Sequence, residues 1–189
     1  EVIVRQTNDL SRIVDEFSRF ARMPEPNKKS VDIIQIINSA ISLQENGLPE
    51  IAFKKNIVDG PIMLEVDATM ISQALINLLK NAGESIASRM SKGEVPIVLG
   101  QIKVIAKLLD NFLKVSIVDN GLGLPEDRAR LFEPYVTTRE NGTGLGLAIV
   151  KKIIEEHGGT FRLEDAAQYK TSGIVGAAAI IEIPIYSVK

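Results

Sequence analysis

Asn77 and Asn81 stand four residues apart in the run Asn77-Leu-Leu-Lys80-Asn81-Ala-Gly-Glu84. On a helix that spacing puts both amides on one face, with Lys80 and Glu84 as the neighbouring i, i+4 pair. Amides among apolar neighbours need partners. They can cap or bond backbone, or an Asn carbonyl can join phosphate oxygens and water around Mg²⁺. A second cluster, Val118-Asp119-Asn120-Gly121-Leu122-Gly123, ends an apolar run in a carboxylate followed by spaced glycines. Its carboxylate can accept from an exocyclic amine such as that of adenine, while the glycines let backbone approach a ligand. An ordinary turn after a strand fits the same residues. A third cluster, Gly142-Thr143-Gly144-Leu145-Gly146-Leu147, runs into a helix. Glycines at a helix N-terminus expose N–H groups and the positive dipole end, which suits phosphates, although a hinge has the same composition. The spacing is that of neither a P-loop nor a dinucleotide fingerprint.

These clusters need a scaffold, and the composition supplies one. The 189 residues are 45% hydrophobic and 24% charged, as in an ordinary globular protein. The net charge of −2 gives no field that would attract nucleic acid or an anionic membrane. The absence of cysteine excludes disulfides, thiolate metal sites and cysteine nucleophiles, and the single histidine excludes a multi-histidine metal site. No uncharged apolar run approaches the ~18 residues of a membrane span. The first residues, with Glu1, Arg5 and Asp9, do not read as a signal peptide, and the chain is expected to be a fragment that begins inside a helix.

Residues 1–22 carry a heptad seam, with Ile3, Leu10 and Phe17 in one row and Gln6, Ile13 and Phe20 in the next. Such a stripe calls for a partner helix, and Pro24 and Pro26 end it in a linker. The expected organisation is a helix over 1–23, a linker over 24–29 and a domain over 30–189. Within that domain, helices are expected over 30–46, over 67–88 with Asp67 as N-cap, and over 143–157 closed by Gly158-Gly159. Strands are expected over 51–57 and 62–66, joined by the turn Asp59-Gly60-Pro61. A hairpin over 99–108 and 112–118 turns at Asp110-Asn111, and strands over 160–164 and 175–185 finish the chain. Three helices mixed with these strands indicate a two-layer α/β sandwich with a mixed sheet.

Taken together, the order and spacing of the three clusters resemble the nucleotide site of the Bergerat-fold ATPases, which include gyrase, the Hsp90 chaperone, the MutL mismatch-repair protein and histidine kinases. The resemblance covers about residues 30–186. It is strongest to the catalytic domain of bacterial sensor histidine kinases, in the style of the NtrY and NtrB nitrogen-regulation sensors. Leu131-Phe132-Glu133-Pro134-Tyr135-Val136-Thr137-Thr138 resembles that family's phenylalanine box, and Glu156-His157-Gly158-Gly159 is also typical of it. Residues 1–23 resemble the second helix of its dimerisation hairpin.

The resemblance implies ATP and Mg²⁺, with Asn81 as metal ligand and Asn77 near the phosphates and metal. Lys80 becomes a phosphate contact, and Glu84 lies among the nucleotide contacts. Asp119 bonds the adenine amino group, while Gly121, Gly123 and Leu124 line the base. Gly142, Thr143, Gly144, Leu145 and Gly146 wrap the triphosphate. Residues 125–142 form a lid from which Thr137, Thr138 and Arg139 approach the γ-phosphate. The hydrolytic members carry a Glu general base where this chain has Asn77, and an amide accepts no proton at neutral pH. The implied reaction is therefore transfer of the γ-phosphate to a histidine on an upstream helix, for relay to a response-regulator aspartate. The alternative is a stand-alone ATPase that uses hydrolysis for conformational change. A module that binds partners without using ATP is a third reading.

The implied parent is a homodimer through the hairpin, anchored in the bacterial inner membrane, with this domain in the cytoplasm. Two departures stand out. The final glycine box reads Gly173-Ile-Val-Gly176-Ala177-Ala178-Ala179, without the family's Thr and Phe, and the acceptor histidine is missing. His157 reads instead as a helix C-terminal residue favouring the dipole.

Overall fold

In the computed structural model the described residues are 22–91, 99–136, 143–169 and 176–185, together with Val14 and Ser18. The expected helix over 1–22 lies outside them, apart from Val14, Ser18 and Arg22, whose N–H donates to the Ser18 carbonyl at 3.1 Å.

The chain order is β1 (Lys29–Asp32), α1 (Ile33–Gly47), β2 (Ile51–Ile57), β3 (Met63–Val66), α2 (Ala68–Ser91), β4 (Gly100–Leu109) and β5 (Phe112–Asp119). A 3-10 turn over Ala129–Phe132, α3 (Gly146–Glu156), β6 (Thr160–Asp165), a second 3-10 turn over Ala166–Tyr169 and β7 (Ala177–Pro184) follow. The first helix starts three residues later than the sequence suggests. Residues 29–32 pair antiparallel with β3 instead, and Asp32 becomes the cap. Its Oδ1 accepts from the N–H groups of Ile34 and Ile62, both at 3.1 Å. Asp67 caps α2 as expected, with Oδ1 accepting from Thr69 N–H at 3.0 Å and Met70 N–H at 3.1 Å. The third helix starts at Gly146 rather than 143, and its end is closed by Gly158 and Gly159, whose N–H groups donate to the carbonyls of Glu155 and Ile154.

The strands joined by Asp59-Gly60-Pro61 do not pair with each other. Strand β2 runs parallel to β4 and β3 pairs with β1, so the turn carries the chain from one sheet to another. The larger sheet is mixed, in the order β2-β4-β5-β7-β6, with antiparallel pairing everywhere except β2–β4. The hairpin at Asp110-Asn111 forms as expected.

All three α-helices among the described residues pack on one face of this sheet. Ile33, Ile37 and Ile41 of α1, Ile71, Leu75 and Leu79 of α2, and Ile153 and Ile154 of α3 form one core with the alternate residues Ile102, Val104, Leu113, Val115, Ile117 and Ile181. The opposite face is charged. Lys54 sits directly across from Lys103, and Lys107 from Lys114. Arg162 binds Glu164 at 2.8 Å and Glu182 at 2.9 Å. A small apolar cluster of Ile105, Val118, Ala166 and Ala178 lies there beside the second 3-10 turn. This is the expected two-layer α/β sandwich.

Candidate functional site

Helix α2 acts as a ruler. Asn77, Asn81 and Ser85 recur at i, i+4, so they form one row along it. At Asn81 the row meets the third cluster, where a methyl placed at Gly146 would sit 3.9 Å from the side-chain amide nitrogen. One turn on, about 6 Å along the axis, it meets the second cluster. There Ser85 Oγ accepts from Leu122 N–H at 3.1 Å. A Cβ at Gly121 would lie 2.7 Å from the Ser85 carbonyl carbon, so only glycine fits that approach. Three clusters separated by dozens of residues thus meet along one helix face. Sequence reasoning missed Ser85, although its place four residues after Asn81 is a usable signal.

Asp119 ends β5 beside this row. It is 6% exposed, and its Oδ1 accepts from Gly121 N–H at 2.8 Å, which shapes the turn and aims the carboxylate. Asn120, 5% exposed, serves the scaffold instead. Its Oδ1 accepts from Gln101 N–H at 2.8 Å and its Nδ2 donates to the Leu99 carbonyl at 2.9 Å, locking the end of β5 to the start of β4. Behind Asp119 lies Gly176 of the irregular final box. A Cβ there would overlap the Asp119 carbonyl oxygen and come within 3.1 Å of Asn120 Cα. This glycine therefore sets the position of Asp119, a role its sequence context does not suggest. Gly123, with φ +82°, and half-buried Leu124 continue the loop.

At the third cluster Leu145 is fully buried and stands at the N-cap of α3, with Thr143 Oγ1 accepting from its N–H at a long 3.5 Å. The buried leucine fixes the helix start, so the first N–H groups of α3 open beside Asn81. The preceding segment is tied down at two points. Tyr135 N–H donates to the Gly144 carbonyl at 3.2 Å, and Tyr135 holds φ at +67°. Phe132 packs edge-on against Phe161 of β6, centroids 5.4 Å apart, with the Lys151 ammonium 5.6 Å from its ring centre. The expected γ-phosphate contacts Thr137, Thr138 and Arg139, and the expected phosphate-loop residue Gly142, lie outside the described residues. Lys80 is exposed, 3.9 Å from Glu84, a pair weak enough to open for a phosphate.

His157 stands at the C-terminal end of α3, as expected. It is 2% exposed. Its Nε2 accepts from Asp67 N–H at 2.9 Å, which leaves Nδ1 to carry the proton and donate to the Ile153 carbonyl at 2.7 Å. It is a buried tie between α3 and the start of α2.

Among the described residues no three of His, Cys, Asp and Glu are grouped to hold a metal ion. The donor set here is instead an amide beside a helix N-terminus. That suits an ion sharing its ligands with phosphates and water. The sequence model of the histidine kinase-, DNA gyrase B- and HSP90-like ATPases matches residues 66–186, more than half of the chain and all three clusters. The chain belongs to this ATPase family. It is 49% identical over 172 residues to the nitrogen regulation protein NtrY of Azorhizobium caulinodans, covering 89% of this chain and 21% of that protein. The chain therefore spans about a fifth of that relative's length.

Among solved structures, full-length ShkA in complex with AMPPNP matches with a TM-score of 0.74 at 26% identity, over 99% of this chain and 38% of that one. Histidine kinase ThkA in complex with response regulator protein TrrA matches with a TM-score of 0.73 at 28% identity, over 98% of this chain and 50% of ThkA. The chain is an ATPase domain of this family, similar to those of sensor histidine kinases, and ATP is the ligand the family implies. Among the described residues no helix is long and apolar enough to cross a membrane.

Proposed function

We propose that this domain binds MgATP along α2 and delivers the γ-phosphate to a histidine on an upstream helix, for relay to a response-regulator aspartate. The observation that carries the reading is the meeting of Asn81, Gly146, Ser85 and Gly121 along one helix face, with the buried Asp119 at one end. Asp119 accepts from the adenine amine, and Gly121, Gly123 and Leu124 line the base. Thr143, Gly144, Leu145 and Gly146 offer backbone N–H groups to the phosphates, continued by Gly142. Lys80 leaves Glu84 for a phosphate oxygen. Thr137, Thr138 and Arg139 approach the γ-phosphate as the lid closes. Asn81 holds Mg²⁺ through its side-chain carbonyl, with Asn77 near it. When bound, that ion neutralises charge on the phosphates.

The γ-phosphorus is attacked by the lone pair of a neutral imidazole nitrogen. An N–P bond forms, the bond to the β–γ bridging oxygen breaks, and ADP leaves. Asn77 cannot take a proton from water, so hydrolysis gains no general base here. Residues 1–23 are read as part of the dimerisation hairpin and 24–29 as the linker. The parent is read as a homodimer anchored in the bacterial inner membrane, with this domain on the cytoplasmic side. Phosphate release from MgATP, measured where nucleotide binding is saturated, tests the reading. Binding with negligible release is expected. Steady turnover that Asn81→Ala abolishes would replace it with a hydrolytic ATPase.

A further inference from the structure

The two helices that frame the nucleotide clusters are also joined at their far ends. The cap of α2, Asp67, lies ten residues before Asn77, and the end of α3 lies ten residues after Gly146, about 15 Å along each axis. His157 Nε2 accepts from Asp67 N–H there, and both groups are at helix ends with few alternatives. Residues of the segment that precedes β1 reach the same junction. Asn27 N–H donates to Asp67 Oδ2 at 2.9 Å, while Oδ1 of that carboxylate is occupied in capping α2. Lys28 Nζ donates to the Glu156 carbonyl at 2.8 Å, at the negative end of α3. Asp67 and His157 thus touch both helices, and two consecutive residues of the linker clip onto them.

We propose that Asp67 and His157 are positioning residues that latch residues 27–28 onto the nucleotide-binding frame and so set the pose of bound ATP relative to the upstream helix. The inference rests on the kinase reading, in which that helix leads to the acceptor. The physical reason is stiffness. A hydrogen-bonded helix of this length transmits a rigid displacement, so a linker fixed to one end of α2 and α3 fixes the site at the other. A free linker would let the domain sample many poses, few of them in line for transfer. The latch acts on transfer rate and leaves nucleotide affinity alone, because none of its members touches the clusters.

The test uses Lys28→Met, which keeps the stem and removes the donor from an exposed side chain, and Asn27→Pro, which removes the N–H and also fixes φ at that position. Three quantities are read. These are amide exchange at Asn27 and Asp67 in this chain, affinity for ATP, and the initial rate of phosphohistidine formation in the full-length parent. The expected result is slow exchange at both amides in the wild type. The double variant should keep slow exchange at Asp67, whose N–H is held by His157, keep its ATP affinity within about twofold, and transfer about tenfold more slowly. Restoring a donor with Lys28→Arg recovers most of the rate. Fast exchange at Asn27 in the wild type, or equal transfer rates with both arms removed, overturns the latch. Slow exchange in a parent that phosphorylates no histidine overturns the kinase reading and, with it, the coupling role, leaving the clasp purely structural. The single histidine also makes the ring observable without ambiguity. A ¹⁵N imidazole spectrum showing the proton on Nε2 rather than Nδ1 would overturn the clasp directly.

Discussion

Replacing Gly176 by alanine tests whether Asp119 recognises adenine and whether the final glycine box positions it. The added Cβ would overlap the Asp119 carbonyl oxygen and lie 3.0 Å from its carbonyl carbon, with Asn120 Cα at 3.1 Å. All three are backbone atoms of a strand end held by Asn120, so no flexible side chain can give way. Overpacking of this kind costs about 1–3 kcal/mol of stability. A hydrogen bond from a ligand amine to a carboxylate is worth about 1.5–3 kcal/mol. At ~1.4 kcal/mol per decade, losing it altogether means a drop of about 10- to 150-fold in affinity. A displaced carboxylate forfeits part of that, and we expect about tenfold. Calorimetric titration with ATP and with inosine triphosphate, which lacks the exocyclic amine, reads the effect. Wild type should prefer ATP, Gly176→Ala should narrow the preference, and Asp119→Ala should erase it. Gly47→Ala is the control. It stands at the end of α1 with nothing within 4 Å of its Cβ position, and it should gain up to ~1 kcal/mol in urea unfolding. If Gly176→Ala matches wild type in stability and in ATP preference, the close packing of Gly176 on Asp119 is wrong. If Asp119→Ala retains the preference, the adenine assignment is wrong.

Three further outcomes are expected. Tyr135 is 52% exposed at φ +67°, so Tyr135→Asn, which tolerates that conformation, should raise stability in urea unfolding by roughly 0.5–1 kcal/mol; a fall would mean the ring contributes more than the strain. Partial burial works against ionisation of Asp67, but donors from Met70, Asn27 and Thr69 outweigh it and hold its carboxyl below 3.8, while hydrogen bonding from Arg162 holds Glu182 below 4.5. Both folded-state values lie under the unfolded ones, so this stabilisation is complete above the ordinary carboxylate range and is lost as pH falls through the lowered values. Asp67→Asn with Glu182→Gln should flatten the acid limb of a stability–pH curve, and an unchanged limb would contradict the assignment. Lys54→Glu replaces a like-charged cross-strand pair with an opposite-charged one, and should add roughly 0.2–1 kcal/mol at low salt and less at high salt.

Features governed by chemistry within one turn are legible in the residues themselves. Asp67 announces the cap of α2, Gly158-Gly159 the end of α3, and Asp110-Asn111 the hairpin, because each involves groups only a few residues apart. The three clusters are legible for a related reason. Their residue types and spacing state what they can bind, and their order matches a known ATPase family. What stays hidden depends on partners far along the chain. Strand β2 reads as an ordinary partly buried strand, and nothing local says that it pairs in parallel with β4 while β3 joins β1. Ser85 gains a role only when Leu122 arrives beside it, Gly176 only when Asp119 does, and His157 only when it meets Asp67, 90 positions away. Periodicity and capping are short-range and can be read one element at a time. Close approaches and hydrogen bonds between distant segments exist only after the sheet and its helices have packed around one core.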